Sequence, residues 1–249
     1  MIELDTIYNE DCLTGMQRIP DGSVDCIICD LPYGTTACKW DSVIPFEPLW
    51  EQYKRVTKPN AAIVLFGQEP FSSVLRMSNI KEYRYDWIWM KTRATGHLNA
   101  KKQPMRKSEN ISVFYQQQPT YNPQGLVKGV FNNSRPSRSI PKNGNHYAGE
   151  EREFEASEYG NYPCNVLEYS NPNNGSLHPT QKPVDLIAYL IRTYSNPGDT
   201  ILDNTIGSGT TAVAALREKR HFIGFELNRD YYDIALRRIK LEQQQQTLF

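Results

Sequence analysis

The chain has 249 residues, and its 28 Lys and Arg residues balance 28 Asp and Glu residues, so the formal net charge is zero. This length suits one large domain or a core with a smaller insertion, and 39% apolar and 11% aromatic residues argue against wholesale disorder. No apolar run approaches the roughly 20 residues that span a membrane. The N-terminal sequence lacks the pattern of a secretion signal, and five unclustered cysteines are typical of a reducing compartment. We expect a cytoplasmic protein.

Short apolar runs alternate with stretches of helical spacing along most of the chain. They predict strands at Ile2–Ile7, Val24–Cys29, Ala61–Phe66, Asp86–Met90, Ile111–Tyr115, Thr200–Leu202 and Phe222–Phe225. Apolar residues that share one face predict helices at Leu186–Tyr194 and at Tyr231–Ile239. Pro183 suits the first turn of the former helix. Several strands are continuous apolar runs, as expected where helices cover both faces of a sheet. The pattern predicts an α/β fold with a doubly wound, mostly parallel sheet.

Positive charge is concentrated in one segment. Between Lys91 and Asn145 there are ten basic residues and one acid, Glu109, so this segment carries +9 and the remainder −9. Such a composition suits contact with a phosphate backbone, with a solvated loop as the alternative. The candidate contacts are Lys91, Arg93, Lys101, Lys102, Arg106, Lys107, Arg135 and Arg138. Residues 92–175 lack strong periodicity and are predicted to form an insertion, with one core strand near 111–115, between core halves at 1–91 and 176–249.

The segment Thr200–Ala212 has the pattern of a strand, a glycine-rich turn and the start of a helix. Gly207 and Gly209 permit a sharp turn and a close approach to a ligand, and the helix N-terminus offers free N–H groups. Glu226 ends the next strand, 23 residues after Asp203, where a carboxylate can accept hydrogen bonds from ribose hydroxyls. The turn superficially matches a dinucleotide fingerprint, but the polar residues Asp203, Asn204 and Thr205 separate the strand from the first glycine. This separation favours a single nucleoside, such as S-adenosylmethionine, over NAD.

A second motif follows the apolar run Val24–Cys29. Asp30 stands at the carboxyl end of that strand, where open α/β sheets bind ligands. Pro32 stiffens the turn, and Tyr33 offers an aromatic face. A carboxylate for an amine beside an aromatic ring can hold an extruded nucleic-acid base, although an ordinary turn is the alternative.

These motifs resemble those of the β-class, permuted amino-group DNA methyltransferases. Asp30-Leu31-Pro32-Tyr33 resembles their Asp-Pro-Pro-Tyr catalytic motif, with Leu31 in place of the first proline. Asp203–Thr211 resembles their cofactor motif. Further matches lie at Glu10–Leu13, Ser108–Phe114, His178–Pro183 and Gly224–Asn228. The catalytic motif, the recognition region and the cofactor motif follow in the order of that class, and the resemblance covers nearly the whole chain outside about 116–175.

The resemblance implies a fold of the S-adenosylmethionine-dependent methyltransferase type, in which residues 92–175 recognise the target. It implies methyl transfer to an exocyclic amine of a flipped base in double-stranded DNA. Asp at the first motif position favours adenine N6, with cytosine N4 as the alternative. Asp30 and the Leu31 carbonyl would accept the two amine hydrogens, and Tyr33 would stack on the base. The cofactor would lie among Asp11, Cys12, Asp30, His178, Thr180, Lys182, Asp203, Asn204, Gly207, Ser208, Gly209, Thr210, Glu226, Leu227 and Asn228.

Individual roles follow from the same resemblance. Asp11 is expected near the adenine amine of the cofactor, Glu226 on the ribose and Lys182 beside the methionine carboxylate. Other classes stay open, namely a DNA-binding protein without catalysis and an NAD oxidoreductase. No metal is expected, because Cys26 and Cys29 would point to opposite faces of their strand.

Two partners besides DNA are considered. The residues Gln245, Leu248 and Phe249 are similar to short peptides that dock on bacterial sliding clamps, with a frayed polar tail as the alternative. Family behaviour also admits a homodimer, which no residue pattern decides.

Overall fold

The structure is a computed structural model that describes residues 2–34, 42–131, 157–171 and 181–246. The chain forms two compact units, one of Met1–Asn122 with Asn165–Phe249 and the other of Pro123–Cys164. The second unit is shorter than the insertion predicted at 92–175, because parts of that region belong to the large sheet of the first unit. Those parts are the end of the strand Tyr83–Thr95 and the strands Arg106–Phe114 and Val166–Tyr169. Within the described ranges, no helix is long and apolar enough to cross a membrane.

The described elements alternate between strands and helices over most of the chain. The strands are β1 (Thr6–Tyr8), β2 (Val24–Cys29), β3 (Thr57–Gly67), β4 (Tyr83–Thr95), β5 (Arg106–Phe114), β6 (Val127–Phe131), β7 (Ser157–Gly160), β8 (Val166–Tyr169), β9 (Thr200–Asp203) and β10 (His221–Phe225). The helices are α1 (Cys12–Met16), α2 (Phe46–Val56), α3 (Phe71–Ser78), α4 (Val184–Tyr194), α5 (Thr210–Arg217) and α6 (Arg229–Gln246). A 3-10 turn at His97–Asn99 lies between β4 and β5.

The larger unit contains an eight-stranded sheet in the order β1-β10-β9-β2-β3-β5-β4-β8. Among these strands β5 alone runs antiparallel to its neighbours. The connection through α2 leads from β2 to β3 on one side, and the connection through α5 leads from β9 to β10 on the other. The adjacent strands β2 and β9 therefore form the topological switch point, where open α/β sheets bind ligands beyond the carboxyl ends.

Two apolar layers cover the two faces of this sheet. On one face Leu186, Ala212 and Ala235 pack from α4, α5 and α6, and on the other Met16 and Leu49 pack from α1 and α2. Strand β2 contributes to both layers, because alternate side chains of a strand point to opposite faces. Cys26 and Ile28 lie in the first layer, and Ile27 and Cys29 lie in the second. The two cysteines thus face different layers, as the sequence predicts.

The smaller unit contains the antiparallel pair β6 and β7. Lys128 and Glu158 form an ion pair across it at 3.1 Å, and the side-chain amide of Asn161 donates to the Gly125 carbonyl at 2.7 Å. The ion pair is largely exposed on both sides, so it contributes little to stability.

The predicted strand at Val24–Cys29 has the same bounds in the structure, whereas the one predicted at Ile2–Ile7 begins only at Thr6. Asp5 adopts a left-handed backbone conformation with φ of 58°, which interrupts an extended run. Its carboxylate accepts a hydrogen bond from the main-chain N–H of Phe222 at 3.2 Å and lies 2.8 Å from a ring nitrogen of His221. The polar contacts of Asp5 therefore determine where β1 starts.

Candidate active site

A cavity of about 390 Å³ lies at the carboxyl ends of β1, β2, β9 and β10. The structure brings most of the predicted site residues to its wall, namely Asp11, Cys12, Asp30, Leu31, Pro32, Tyr33, Lys182, Asn204, Asp203, Gly207, Ser208, Thr210, Glu226 and Leu227. His178 and Thr180 lie outside the described residues. Gly209 and Asn228 are adjacent in sequence to the wall but are not part of it. The two motifs that are far apart in sequence thus meet in one cavity.

Asp30 follows β2 directly, and its side chain remains one quarter exposed. Its Oδ1 atom accepts a hydrogen bond from the Tyr33 hydroxyl at 2.5 Å, and its Oδ2 atom accepts one from the Lys182 ammonium at 2.5 Å. Burial raises the pKa of Asp30, the positive charge of Lys182 opposes that rise, and the negative charge of Glu109 adds to it. The carboxylate is therefore fixed in rotation by two donors while it still borders the cavity.

Asp30 belongs to a cluster of four charged side chains. The Lys182 ammonium also lies 3.2 Å from Oε2 of Glu109, and the Lys91 ammonium donates to Oε1 of Glu109. Lys91, Glu109 and Lys182 have side chains that are 5%, 6% and 7% exposed, so three of the four charges are withdrawn from water. The four formal charges sum to zero, as a buried set requires if no charge is to stay uncompensated.

The prediction that Lys91 contacts DNA is wrong. Its side chain is buried and paired with Glu109, so it cannot reach a phosphate. The alternation along β4 carries the signal, because Lys91 shares one face of the strand with Trp87 and Trp89, which are both buried. In the sequence Glu109 is the one acid of the basic segment and lies in the matching stretch Ser108–Phe114, but neither feature predicts its place beside Asp30.

Lys182 also departs from its expected role. The family resemblance places it beside the methionine carboxylate of the cofactor, whereas its ammonium already serves Asp30 and Glu109. Burial alone would lower the pKa of Lys182, but the two carboxylates outweigh that effect and raise the pKa above its usual value. The charge of Lys182 is therefore already compensated within the protein.

Asp203 ends β9 next to Asp30. Its carboxylate accepts hydrogen bonds from the Thr211 hydroxyl at 2.6 Å and from the main-chain N–H of Thr205 at 3.1 Å. Burial raises the pKa of Asp203 to about 7, although both hydrogen bonds act in the opposite direction. A carboxyl group in this state favours a cationic ligand, because a nearby positive charge stabilises its ionised form.

Glu226 follows β10 on the other side of β9. Its two carboxylate oxygens accept hydrogen bonds from the main-chain N–H groups of Gly207 at 2.9 Å and Asn228 at 2.7 Å. Gly207 adopts φ of +56°, the left-handed region that glycine enters without a steric penalty. The side chain of Asn228 instead caps α6 by accepting hydrogen bonds from Asp230 and Tyr231. Glu226 therefore fixes the glycine-rich turn and keeps free lone pairs.

The remaining wall is held by hydrogen bonds between elements. Asp11 caps α1 by accepting from the main-chain N–H of Thr14 at 3.0 Å. The buried Asn204 accepts from the Tyr53 hydroxyl at 2.5 Å and donates to the sulfur of Cys12 at 3.6 Å. The Tyr53 contact is not predicted from the sequence, because it joins residues 151 positions apart. These bonds fix the strand ends that surround the cavity.

The cavity fits S-adenosylmethionine in size and in chemistry. Its volume of about 390 Å³ lies within the range of small-molecule sites. Of the five carboxyl groups on its wall, those of Asp11, Asp203 and Glu226 match a ligand that carries two cationic groups, two ribose hydroxyls and an adenine amine. Ile206 and Leu227 add apolar surface to the same wall.

The remaining candidate DNA contacts cluster at one end of the sheet. Lys101, Lys102, Arg106 and Lys107 are exposed around the turn between β4 and β5, and Arg93 is exposed on β4. Since Gly67 at the end of β3 pairs with Asn110 in the antiparallel β5, this turn projects from the same sheet edge as Asp30. Arg135 and Arg138 lie outside the described residues.

Similarity to known proteins extends over most of the chain. The family model N6_N4_Mtase, described as DNA methylase, matches residues 24–237. DNA adenine methyltransferase YhdJ from Escherichia coli (strain K12) is 30% identical over 260 residues, which cover 95% of this chain and 83% of YhdJ. Type II methyltransferase M.BglII from Bacillus subtilis is 29% identical over 255 residues, which cover 93% of this chain and 68% of M.BglII.

Solved structures share the fold at lower sequence identity. The M1.HpyAVI–SAM complex aligns with a TM-score of 0.63 and 22% identity over 94% of this chain and 98% of that chain. The cytosine-N4-specific PvuII DNA methyltransferase aligns with a TM-score of 0.67 and 16% identity over 94% and 85%. The predicted fold class and family are confirmed by these findings. The chain belongs to the DNA methylase family, whose members methylate exocyclic amines of DNA bases.

Proposed function

We propose that this DNA methyltransferase transfers a methyl group from S-adenosylmethionine to the N6 amine of adenine in double-stranded DNA. The observation that carries the proposal is the position of Asp30, an amine-accepting carboxylate that borders the same cavity as Asp203 and Glu226. The names of YhdJ as an adenine methyltransferase and of M1.HpyAVI in complex with SAM support the base and the donor.

Asp30 and Leu31 make the target amine nucleophilic. The lone pair of an exocyclic adenine amine is delocalised into the ring, so the free amine attacks poorly. The Asp30 carboxylate and the main-chain carbonyl of Leu31 accept its two hydrogens and favour a pyramidal nitrogen. Leucine keeps that carbonyl where the family has proline, and the Leu31 side chain is buried, which helps to hold the turn. S-adenosylmethionine, when bound, supplies an electrophilic methyl group on its sulfonium.

Tyr33 holds the flipped base. Extruding a base costs about a few kcal/mol of stacking and pairing, and stacking on an aromatic ring returns about 1–3 kcal/mol. The ring of Tyr33 packs against Phe71 with 5.0 Å between centroids, and its hydroxyl is bonded to Asp30. The ring is thus ordered before the base arrives, which lowers the entropy cost of binding.

The cofactor-binding residues divide the donor between them. Asp203 and the turn at Gly207 hold the methionine part, Glu226 accepts hydrogen bonds from the ribose hydroxyls, and Asp11 accepts one from the adenine amine. The pKa of Asp203, near 7, suits this position, because the cations of the donor favour its ionised form. Lys182 is assigned to Asp30 rather than to the methionine carboxylate.

DNA is bound through the exposed basic turn between β4 and β5. Lys101, Lys102, Arg106 and Lys107 give it four positive charges at the sheet edge that bears Asp30. A homodimer and a cytoplasmic location are consistent with this function. A sliding-clamp contact at the C-terminus involves Leu248 and Phe249, outside the described residues, and is tested by clamp pull-down before and after removal of 247–249.

The decisive experiment is transfer of labelled methyl from S-adenosylmethionine to mixed-sequence duplex DNA, followed by digestion to nucleosides. We expect label in N6-methyladenosine. Label in N4-methylcytosine would keep the mechanism and overturn the choice of base. Absence of transfer, with donor binding measured separately, would contradict the catalytic assignment and favour a DNA-binding role.

A further inference from the structure

We propose that Lys182, Glu109 and Lys91 act as one positioning unit that sets the protonation and the rotation of Asp30. This inference deepens the proposed function and rests on it for the role of Asp30. It assigns no contact with the cofactor or the base to these three residues. They act through Asp30 alone.

The geometry supports a chain of contacts from β4 to the catalytic motif. Lys91 on β4 is paired with Glu109 on β5, Glu109 lies 3.2 Å from the Lys182 ammonium, and Lys182 lies 2.5 Å from Asp30. The Gln68 side-chain amide also donates to Glu109 at 2.9 Å. Each of the three inner charges is at least nine-tenths buried, so water screens them little.

The order of the charges in this series of contacts determines whether each one favours or disfavours the ionised form of Asp30. The positive charge of Lys182 favours the ionised form of Asp30, and the negative charge of Glu109 disfavours it. Lys91 is the second counter-charge of Glu109, and it lowers the pKa of that carboxyl together with Lys182. If Lys91 is removed, Glu109 competes with Asp30 for the one remaining ammonium. Lys91 therefore assists Asp30 without contacting it.

Other titratable groups face Asp30 from the neighbouring elements. The Tyr33 hydroxyl donates to it, Asp203 at the end of β9 and Cys29 at the end of β2 lie close by, and burial raises the pKa of each of these three groups. Asp203 has a pKa of about 7 and can contribute to the same pH profile, so the test compares variants that all retain Asp203.

The test measures the pH dependence of kcat in four proteins, namely wild type, Lys182→Met, Lys91→Met and the double variant Lys91→Met with Glu109→Gln. Removing Lys182 should move the acidic limb of the profile upward by about 1–3 pH units, the usual effect of one adjacent opposite charge. Lys91→Met should move the limb in the same direction by a smaller amount. Adding Glu109→Gln to Lys91→Met should return it to the wild-type position or below.

Restoration by a second substitution separates positioning from packing. A packing defect would not be repaired when a further buried side chain is altered, and thermal unfolding of each variant shows how much stability is restored by removing the Glu109 charge that Lys91→Met leaves undercompensated. Lys182→Met leaves two carboxylates facing one ammonium, so thermal unfolding is used to check that this variant folds. If it does not fold, the comparison of Lys91→Met with the Lys91→Met and Glu109→Gln double variant is sufficient for the test. The pair keeps the charge balance of the cluster at zero.

Two further readouts keep this inference distinct from the proposed function. The ¹³C carboxyl resonance of Asp30, assigned with Asp30→Asn, should titrate at higher pH in Lys91→Met than in wild type, even if no methyl transfer is detected. Binding of S-adenosylmethionine should be unchanged in Lys91→Met. Unchanged pH profiles would overturn the inference. A Lys182→Met variant that loses only donor affinity would also overturn it, and would assign Lys182 to the methionine carboxylate.

Discussion

The hydroxyl of Tyr33 lies 2.5 Å from Oδ1 of Asp30, so one side chain both orients the catalytic carboxylate and presents an aromatic ring. The ring itself is held by Phe71 at 5.0 Å between centroids. Orientation depends on the hydroxyl and stacking depends on the ring, so the two contributions of Tyr33 can be separated by substitution.

Tyr33→Phe retains the ring and Tyr33→Ala removes it. We expect Tyr33→Phe to lower kcat by up to about tenfold, the value of one hydrogen bond, with base flipping intact. Tyr33→Ala should lose roughly 1–3 kcal/mol of stacking and flip the base poorly. Fluorescence of 2-aminopurine at the target position, beside methyl transfer, checks both. Equal flipping by the two variants would show that Tyr33 does not stack on the base.

Asp30→Asn tests the amine-accepting carboxylate with the smallest change in shape. The amide keeps one acceptor oxygen but no charge, so methyl transfer should fall by at least about 100-fold, in the range of acid–base contributions. Binding of S-adenosylmethionine and thermal unfolding should change little. Asp230→Asn, at an exposed position on α6, is the matched control. Turnover near the wild-type rate in Asp30→Asn would refute the assignment.

The sequence predicts the part of the site that depends on strand order, and it misses the part that depends on register. Asp30, Asp203 and Glu226 each lie at the end of an apolar strand, and the carboxyl ends of parallel strands meet at one edge. The contact of Lys91 with Glu109 instead requires β4 and β5 to pair with Trp89 opposite Glu109. Nothing local in the sequence determines that register.

The same distinction holds for the fold. Strand β2 is predicted with its observed bounds, because a continuous apolar run between polar turns is a local pattern. Strand β8 is not predicted. It has four residues, two of which, Val166 and Glu168, are exposed, so it lacks an apolar run. Its place in the sheet depends on pairing with β4, in which Ile88 lies beside Val166 of β8.

Asp203 predicts a pH dependence of donor binding. Its pKa is about 7 in the folded, cofactor-free protein, against an ordinary value of 3.8. The proton is therefore retained up to about pH 7, and binding of a cationic donor must release it below that pH. As the pH is raised toward 7, the affinity for S-adenosylmethionine should increase by up to about tenfold per pH unit. Above about pH 7 the affinity should level off. Calorimetric titration across this range checks it, and Asp203→Asn should remove the slope. A slope that persists in Asp203→Asn would assign the titration to another group.

The exposed basic turn predicts a salt-dependent contribution to DNA binding. Substituting Lys101, Lys102 and Lys107 with Gln should reduce the slope of log K against log salt by up to about 0.9 for each phosphate that these side chains neutralise. The matched control substitutes Lys81, Arg237 and Lys240, which are exposed elsewhere on the unit. Equal slopes for the two triple variants, measured by fluorescence anisotropy, would place the DNA-binding surface elsewhere on the protein.

Gly209 predicts a stability effect that combines backbone strain and a steric clash. Its φ is +80°, and a Cβ atom there would lie 2.9 Å from Cβ and 3.1 Å from Cα of Ala235 in α6. Gly22 has φ of +60° with no atom within 4 Å of such a Cβ, so Gly22→Ala isolates the cost of the left-handed conformation, about 1–2 kcal/mol. Gly209→Ala should cost about 1–3 kcal/mol more, because α6 must shift. Urea unfolding of both variants measures the difference. Equal losses of stability would mean that α6 yields to the added methyl group, and that close packing of α6 on the turn is not what requires glycine at this position.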